Sequence, residues 1–254
     1  MKNISIKFHK TYLIMALGLV LTGHFANLLV FTSLILIHEM GHIITAYMFR
    51  YKIKEVVIYP YGGITKLDTL INTKIEKDLL VAVSGVIMQL LYFYIIFFLY
   101  SKGIVREYIY NLFVTYNDSI LLFNILPIIP LDGSKIVNLI LSKYFNFNLS
   151  NNLTVFISLI TLIIFLVSNI YQNNYSMLMV ISILLQNIWN YYKKIDYLYN
   201  RFIIERYLYD IKFNGIKVIR NKNKMYKNRI HLFKVNNNLM DEKRYLKLFF
   251  DKKP

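Results

Sequence analysis

The chain has 254 residues, 56% hydrophobic and 17% charged, a balance too apolar for an ordinary soluble domain of this length. It carries a formal net charge of +16 and no cysteine, which excludes disulfides, thiolate metal ligands and cysteine nucleophiles. Any metal must therefore sit on nitrogen and oxygen, and the composition is that of a polytopic membrane protein.

Lys2, Lys7 and Lys10 precede an apolar run in the manner of a signal peptide, but no small-residue cleavage site follows, so a retained first span is expected. From Thr11 to Phe49 the ionisable side chains other than tyrosine are His24, His38, Glu39 and His42. That stretch exceeds one span and suits two, joined by a tight turn at 22–27. Further apolar segments run over residues 79–100, 111–126, 153–170 and 175–192, which makes six spans if the fourth continues past its prolines. Each is predicted to be helical, because a backbone in lipid must satisfy its own hydrogen bonds.

Between the second and third spans, residues 50–78 include Ile53-Lys54-Glu55-Val56-Val57-Ile58-Tyr59, a β-like run followed by Pro60 and Gly62-Gly63, so strands are expected there. Lys and Arg collect at the N-terminus, in 50–78, in 135–143 and in the tail, whereas 23–27 and 172–174 have none, which places both termini in the cytoplasm. The expected fold class is thus an all-α polytopic membrane protein of about six transmembrane helices, with a short β-containing loop at the cytosolic face and a basic cytosolic tail. Residues 1–192 form the membrane domain and 193–254 the tail. In the tail 17 Lys and Arg stand against 6 Asp and Glu, a difference of +11 within the total of +16. Residues 191–210 show helical apolar spacing and suit an amphipathic helix on the membrane surface. Beyond Gly215 the apolar content is too thin to promise a large independent core. Lys222, Lys224, Lys227 and Arg229 fit contact with anionic lipid, or plain solvation, better than direct contact with nucleic acid.

The chemistry is concentrated in His38-Glu39-Met40-Gly41-His42. Histidines four apart share one helical face and can reach a single metal ion, with Glu39 placed to approach a water held by that ion. Zinc lowers the pKa of such a water to about 7, and a carboxylate can then take its proton as it attacks a carbonyl carbon. Three ionisable groups in one apolar span are costly, which favours function over helix glue. A tetrahedral site needs a third protein ligand. His9 and His231 lie outside the apolar spans, and His24 lies about a helix length from His38. Asp132 is the better candidate, in Asn124-Ile125-Leu126-Pro127-Ile128-Ile129-Pro130-Leu131-Asp132-Gly133, although a helix N-cap is the competing reading. Asn124 suits either a substrate or oxyanion contact or an interhelical hydrogen bond. His24 is either a contact for a regulator or a polar residue at a helix end. A non-catalytic metal transporter, sensor or scaffold is the alternative function, but a transporter would line several spans with polar groups.

An HExxH in an early span with a later NxxPxxPLDG segment resembles the site-2 protease family of intramembrane metalloproteases. Ala16-Leu17-Gly18-Leu19, Leu21-Thr22-Gly23-His24, Tyr61-Gly62-Gly63, residues 124–135 and Arg201-Phe202-Ile203-Ile204-Glu205-Arg206-Tyr207 are similar to its sporulation branch, which releases a sigma factor from a membrane-tethered precursor. The resemblance implies one zinc ion on His38, His42 and Asp132, Glu39 as general base, and cleavage of a membrane-tethered pro-protein near the cytosolic leaflet. It also implies inhibitory membrane partner proteins and, in a spore former, a place in the mother-cell membrane around the forespore. Two features depart from the pattern. Where the family has a Ser/Ala-Gly-Pro turn with Asn three residues after the Pro, this chain reads Ser84-Gly85-Val86-Ile87-Met88-Gln89, and Gln89 is the candidate replacement for that amide in a substrate or oxyanion contact. About 50 residues follow Arg201, which suits a reduced remnant of the CBS domain found in sporulation relatives.

Overall fold

The computed structural model describes residues 5–60, 62–171, 177–213, 215–235 and 238–251. Lys2, Tyr61, the expected turn at 172–174 and Tyr175 lie outside the described residues. The chain divides into two compact units, one of residues 1–69 and 80–125, the other of 70–79 and 126–254.

The first unit begins with β1 (Ser5–Phe8) and α1 (Lys10–Leu21), capped by His9, whose side chain accepts from the Thr11 backbone N–H. The turn after α1 falls at Thr22 to His24, and α2 (Phe25–Met48) follows as one uninterrupted helix. Then come β2 (Ile53–Tyr59) and β3 (Gly62–Leu67), strands where the β-like run in 50–78 predicts them. What the sequence did not announce is β1, which pairs in parallel with β2, so that β2 is the central strand of the sheet. Glu55 on β2 bridges Lys7 on β1 at 2.6 Å and Lys66 on β3 at 2.9 Å. Hydrogen bonds from those two ammonium groups hold its carboxyl at about 2. Val56, Val57 and Ile58 are buried, and Ile58 joins Leu34 and Ile35 of α2 in one apolar cluster. This packing seats the sheet against the helix that carries the HEMGH segment. α3 (Ile75–Ser101) and α4 (Glu107–Ile125) complete the unit, with Phe113, Asn117, Ile120 and Asn124 forming the buried stripe of α4.

The fourth apolar segment does not continue past its prolines: α4 stops at Ile125, and a separate helix α5 (Asp132–Tyr144) starts after the Pro127 to Leu131 loop. Proline removes a donor and restricts the residue before it, so the helix cannot cross this stretch. Buried Ser158 of α6 (Phe147–Tyr171) holds the loop, donating to the Pro127 carbonyl at 3.0 Å and accepting the Ile129 N–H at 3.3 Å. α7 (Leu178–Leu208) corrects the expected surface helix at 191–210, which is the continuous end of this longer helix. The tail also contains structure that an all-α reading omits. Strands β4 (Ile216–Ile219), β5 (Ile230–Val235) and β6 (Asn238–Asp241) form a sheet, followed by α8 (Glu242–Asp251). Its core is shared: Ile219, Met225, Phe233 and Leu246 pack on Phe147 of α6 and on Tyr199, Phe202 and Ile203 of α7.

Among the described residues, α2, α3 and α6 are long and apolar enough to cross a membrane, and α1 is a shorter apolar helix. Their outward faces carry large apolar side chains such as Leu91, Ile95 and Phe98 on α3 and Phe156, Ile160 and Ile163 on α6. Apolar surface of this extent is stable against lipid rather than water.

Candidate metal centre

His38, Glu39 and His42 are almost wholly buried, at 2%, 3% and 4% exposure, and one ligand atom of each lies within 4.8 Å of the others. α2 gives the spacing. The glycines explain how its neighbours come so close. At Gly41 a Cβ would collide with the Ser84 carbonyl and lie 2.9 Å from Met88 Cβ, so only a glycine lets α3 pack on this turn. At Gly85 a Cβ would lie 2.6 Å from His38 Nε2 and 2.5 Å from His42 Nε2, filling the space that both rings face.

The hydrogen bonds settle what the rings present. His42 Nδ1 is 2.7 Å from the Val81 carbonyl, which can only accept, so the ring proton is on Nδ1. His38 Nδ1 is 3.0 Å from Gln89 Oε1. The other end of the Gln89 amide is 2.9 Å from the Asn117 carbonyl and 3.2 Å from Asn117 Oδ1, so the nitrogen faces Asn117 and the oxygen faces His38. Both rings therefore turn Nδ1 to a fixed acceptor and Nε2 toward the other ring, with the two Nε2 atoms 3.2 Å apart. Two imidazole nitrogens brought together in a buried site are a donor set suited to a metal ion. Nitrogens bound to tetrahedral zinc at 2.0–2.1 Å are about 3.3 Å apart, so the pair fits the ion.

Glu39 is held from the sheet. Thr65 on β3 donates its hydroxyl to Glu39 Oε2 at 2.5 Å, and a Cβ at Gly63 would lie 2.5 Å from Glu39 Cδ and 2.6 Å from Oε1. The carboxylate lies against bare backbone that no other residue type would allow. A base oriented by a neighbouring hydroxyl beside two metal-binding nitrogens is the arrangement needed to activate water against an amide.

The Peptidase family M50 model matches residues 26–107, the stretch holding nearly all of α2, strands β2 and β3 and all of α3. Stage IV sporulation protein FB of Bacillus subtilis is 31% identical over 198 residues, covering 77% of this chain and 68% of that protein. The chain belongs to peptidase family M50, the site-2 proteases. A zinc metalloprotease of Methanocaldococcus jannaschii is 27% identical over 123 residues, 47% of this chain and 35% of the relative. The solved site-2 protease from the same archaeon shares the fold, with a TM-score of 0.59 at 20% identity over 75% of this chain and 92% of that one. The protein is accordingly an intramembrane metalloprotease, and an integral membrane protein.

The remaining residues singled out in the sequence fall as follows. Gln89 is fully buried, with its amide oxygen facing His38 and its amide nitrogen facing Asn117. Asn124 is buried on α4, on the same stripe as Asn117. Asp132 belongs to the second unit, where it is buried and pairs with Lys135 at 2.8 Å. The N-cap of α5 is Leu131, so Asp132 is the first helical residue and not the cap. His24 is exposed at the N-cap of α2, with Nδ1 3.1 Å from Thr22 Oγ1 and no capping hydrogen bond from its side chain. His231 is buried in the tail against Glu242. Sequence reasoning missed Thr65 and Asn117, and it named Gly63 and Gly85 only within motifs, without their contacts to Glu39 and the two histidines. For Gly85 the signal was a glycine in an apolar helix, where it weakens the helix unless another backbone or side chain needs the space.

Proposed function

We propose that this protease cleaves a membrane-associated pro-protein, a sporulation pro-sigma factor, at the cytosolic side of the membrane. The observation that carries the reading is the convergence of the Nε2 atoms of His38 and His42, 3.2 Å apart, beside the oriented side chain of Glu39. The similarity to a sporulation protein over 77% of the chain supports the substrate class. One zinc ion is held by His38 and His42, with Asp132 as the third protein ligand. Bound zinc supplies Lewis acidity to the scissile carbonyl and makes water a stronger acid. Glu39 takes the proton of the attacking water and returns it to the leaving amine, while Thr65 keeps the carboxylate aimed. Asn124 contacts the developing oxyanion or the substrate backbone.

The chain crosses the membrane six times, on α1, α2, α3, α4, α6 and α7, with the 19 residues of α4 spanning without the proline segment and both termini in the cytoplasm, and in a spore former it sits in the mother-cell membrane around the forespore. A helical substrate must unwind before its carbonyls are open to attack, and a segment added to the edge of the β1–β3 sheet would be held extended. Membrane partner proteins restrain the enzyme, with His24 as a contact, and the basic tail, a reduced CBS-like unit, meets anionic lipid.

Co-expression with a membrane-tethered pro-sigma substrate tests this. Glu39→Gln should lower cleavage by about 10²- to 10⁴-fold while bound zinc is retained, and Asp132→Ala should lose both. Equal cleavage by the wild type and Glu39→Gln would remove Glu39 as the base. Unchanged zinc in Asp132→Ala would remove the third ligand.

A further inference from the structure

The two histidines are oriented by one face of α3. Val81, Gly85 and Gln89 are spaced four apart, so a carbonyl, a gap and a side-chain amide follow one another up that face. His42 is fixed by backbone, which no substitution can remove. His38 is fixed by a side chain, and that side chain is fixed in turn from α4 by Asn117, itself buried and donating to Asp118 Oδ1 at 3.3 Å. An asparagine at 89 would withdraw the amide by one methylene and could not span from His38 to Asn117. The glutamine is thus of the length this bridge needs.

We infer that Gln89, held by Asn117, is the positioning residue of the metal centre: it locks His38 in the Nδ1–H form and sets the affinity for zinc from α4. A neutral imidazole has two tautomers, and only the one protonated on Nδ1 offers Nε2 to the ion. Removing a hydrogen-bond partner of a metal-bound histidine costs about 10- to 100-fold in metal affinity. The inference rests on the zinc reading above and extends it to residues that never touch the ion.

The experiment measures zinc affinity of the purified full chain in detergent by chelator competition, together with the absorption spectrum of the cobalt(II)-loaded form. Gln89→Met keeps the volume and removes the acceptor, and should bind zinc about 10- to 100-fold more weakly with an altered cobalt spectrum. Gln89→Glu keeps an acceptor opposite His38 Nδ1 in either protonation state, and should stay closer to wild type than the Met variant. Gln89→Asn keeps the amide but shortens it, should match the Met variant, and replaces it where that variant does not fold. Zinc binding as tight as wild type in the Met or Asn variant overturns the inference. So does a Glu variant as weak as Met, since an acceptor opposite His38 Nδ1 would then not be what holds the site. His38→Ala separates the two levels. If it too binds zinc like the wild type, the metal reading itself fails; if it loses zinc while Gln89→Met does not, only the role of Gln89 fails.

Discussion

Both units bury polar groups, and they do so to opposite ends. Around HEMGH every support aims a lone pair inward: Val81 and Gln89 take the Nδ1 protons, and two Nε2 atoms are left converging at 3.2 Å. In the tail the charges close on one another. Arg206 donates to Asn72 Oδ1 at 2.6 Å and to the carbonyls of Arg229, Tyr226 and Lys227, and pairs with Glu242 at 3.2 Å. Glu205 accepts the backbone N–H groups of Ile71 and Asn72 and is bridged by Arg201. The first arrangement turns ring nitrogens to one point, whereas the second ties its charges to one another. Convergence of acceptors, rather than burial of polar atoms, is what separates a reactive site from a staple.

The largest expected effect tests the first half of that contrast. Gly85→Ala adds a methyl 2.5–2.6 Å from both Nε2 atoms, with neither ring free to retreat from its acceptor. Displacing the ligands by about 1 Å should lower cleavage on the order of 10²-fold, with zinc lost in parallel by chelator competition. An alanine variant with full zinc and full activity would mean that the space before Gly85 is not where the ion sits.

The second test breaks the staple. Arg206→Met leaves Glu242 buried without its positive partner and orphans three carbonyls, a loss of about 3–5 kcal/mol. Amide hydrogen exchange over 216–251 should rise sharply while zinc binding holds. If zinc is lost as readily as the tail's protection, the contrast between the units does not hold.

How much of this was legible in the sequence follows the same division. HEMGH could be read directly, because a histidine pair four apart and an acid in an apolar run has few other uses, and the strand at Ile53–Tyr59 showed in its β-like run before Pro60. The supports could not be read. Thr65 and Asn117 owe their roles to strand register and helix packing, and such contacts across 26 and 28 residues leave no local pattern. The strands of the tail were not read because its core is borrowed: Ile219, Met225, Phe233 and Leu246 are too few for a domain alone, as the thin apolar content beyond Gly215 suggested, but suffice when Phe147, Tyr199, Phe202 and Ile203 are contributed by preceding helices. The Arg201 to Tyr207 motif carries no chemistry of cleavage. Its Glu205 and Arg206 are the staple.

The smallest effect is a pH dependence, and it probes how fully the tail's network is closed. His231 is completely buried, its Nε2 accepts the Tyr226 N–H at 2.9 Å, and its Nδ1 donates to Glu242 Oε2 at 2.9 Å, so the ring is neutral. Burial pushes its pKa below the ordinary 6.5, outweighing the pull of Glu242, with Arg206 and Lys217 adding to the fall. For Glu242 burial acts to raise the carboxyl, and the His231 hydrogen bond and the Arg206 charge together bring it below 4.5. An unfolded tail takes up a proton at His231 near pH 6.5, while the folded one resists until lower pH. Its stabilisation is therefore full above that value and lost as pH falls toward the folded pKa, by at most about 1.4 kcal/mol per pH unit. Glu242 adds a further loss only below about 4.5. Hydrogen exchange of 216–251 between pH 8 and 5 should show protection falling below about 6.5, and His231→Gln should abolish that slope even where it lowers protection throughout. A slope that survives in the variant would place the titrating group elsewhere, and a flat wild-type profile would mean that the network gains nothing from keeping His231 neutral.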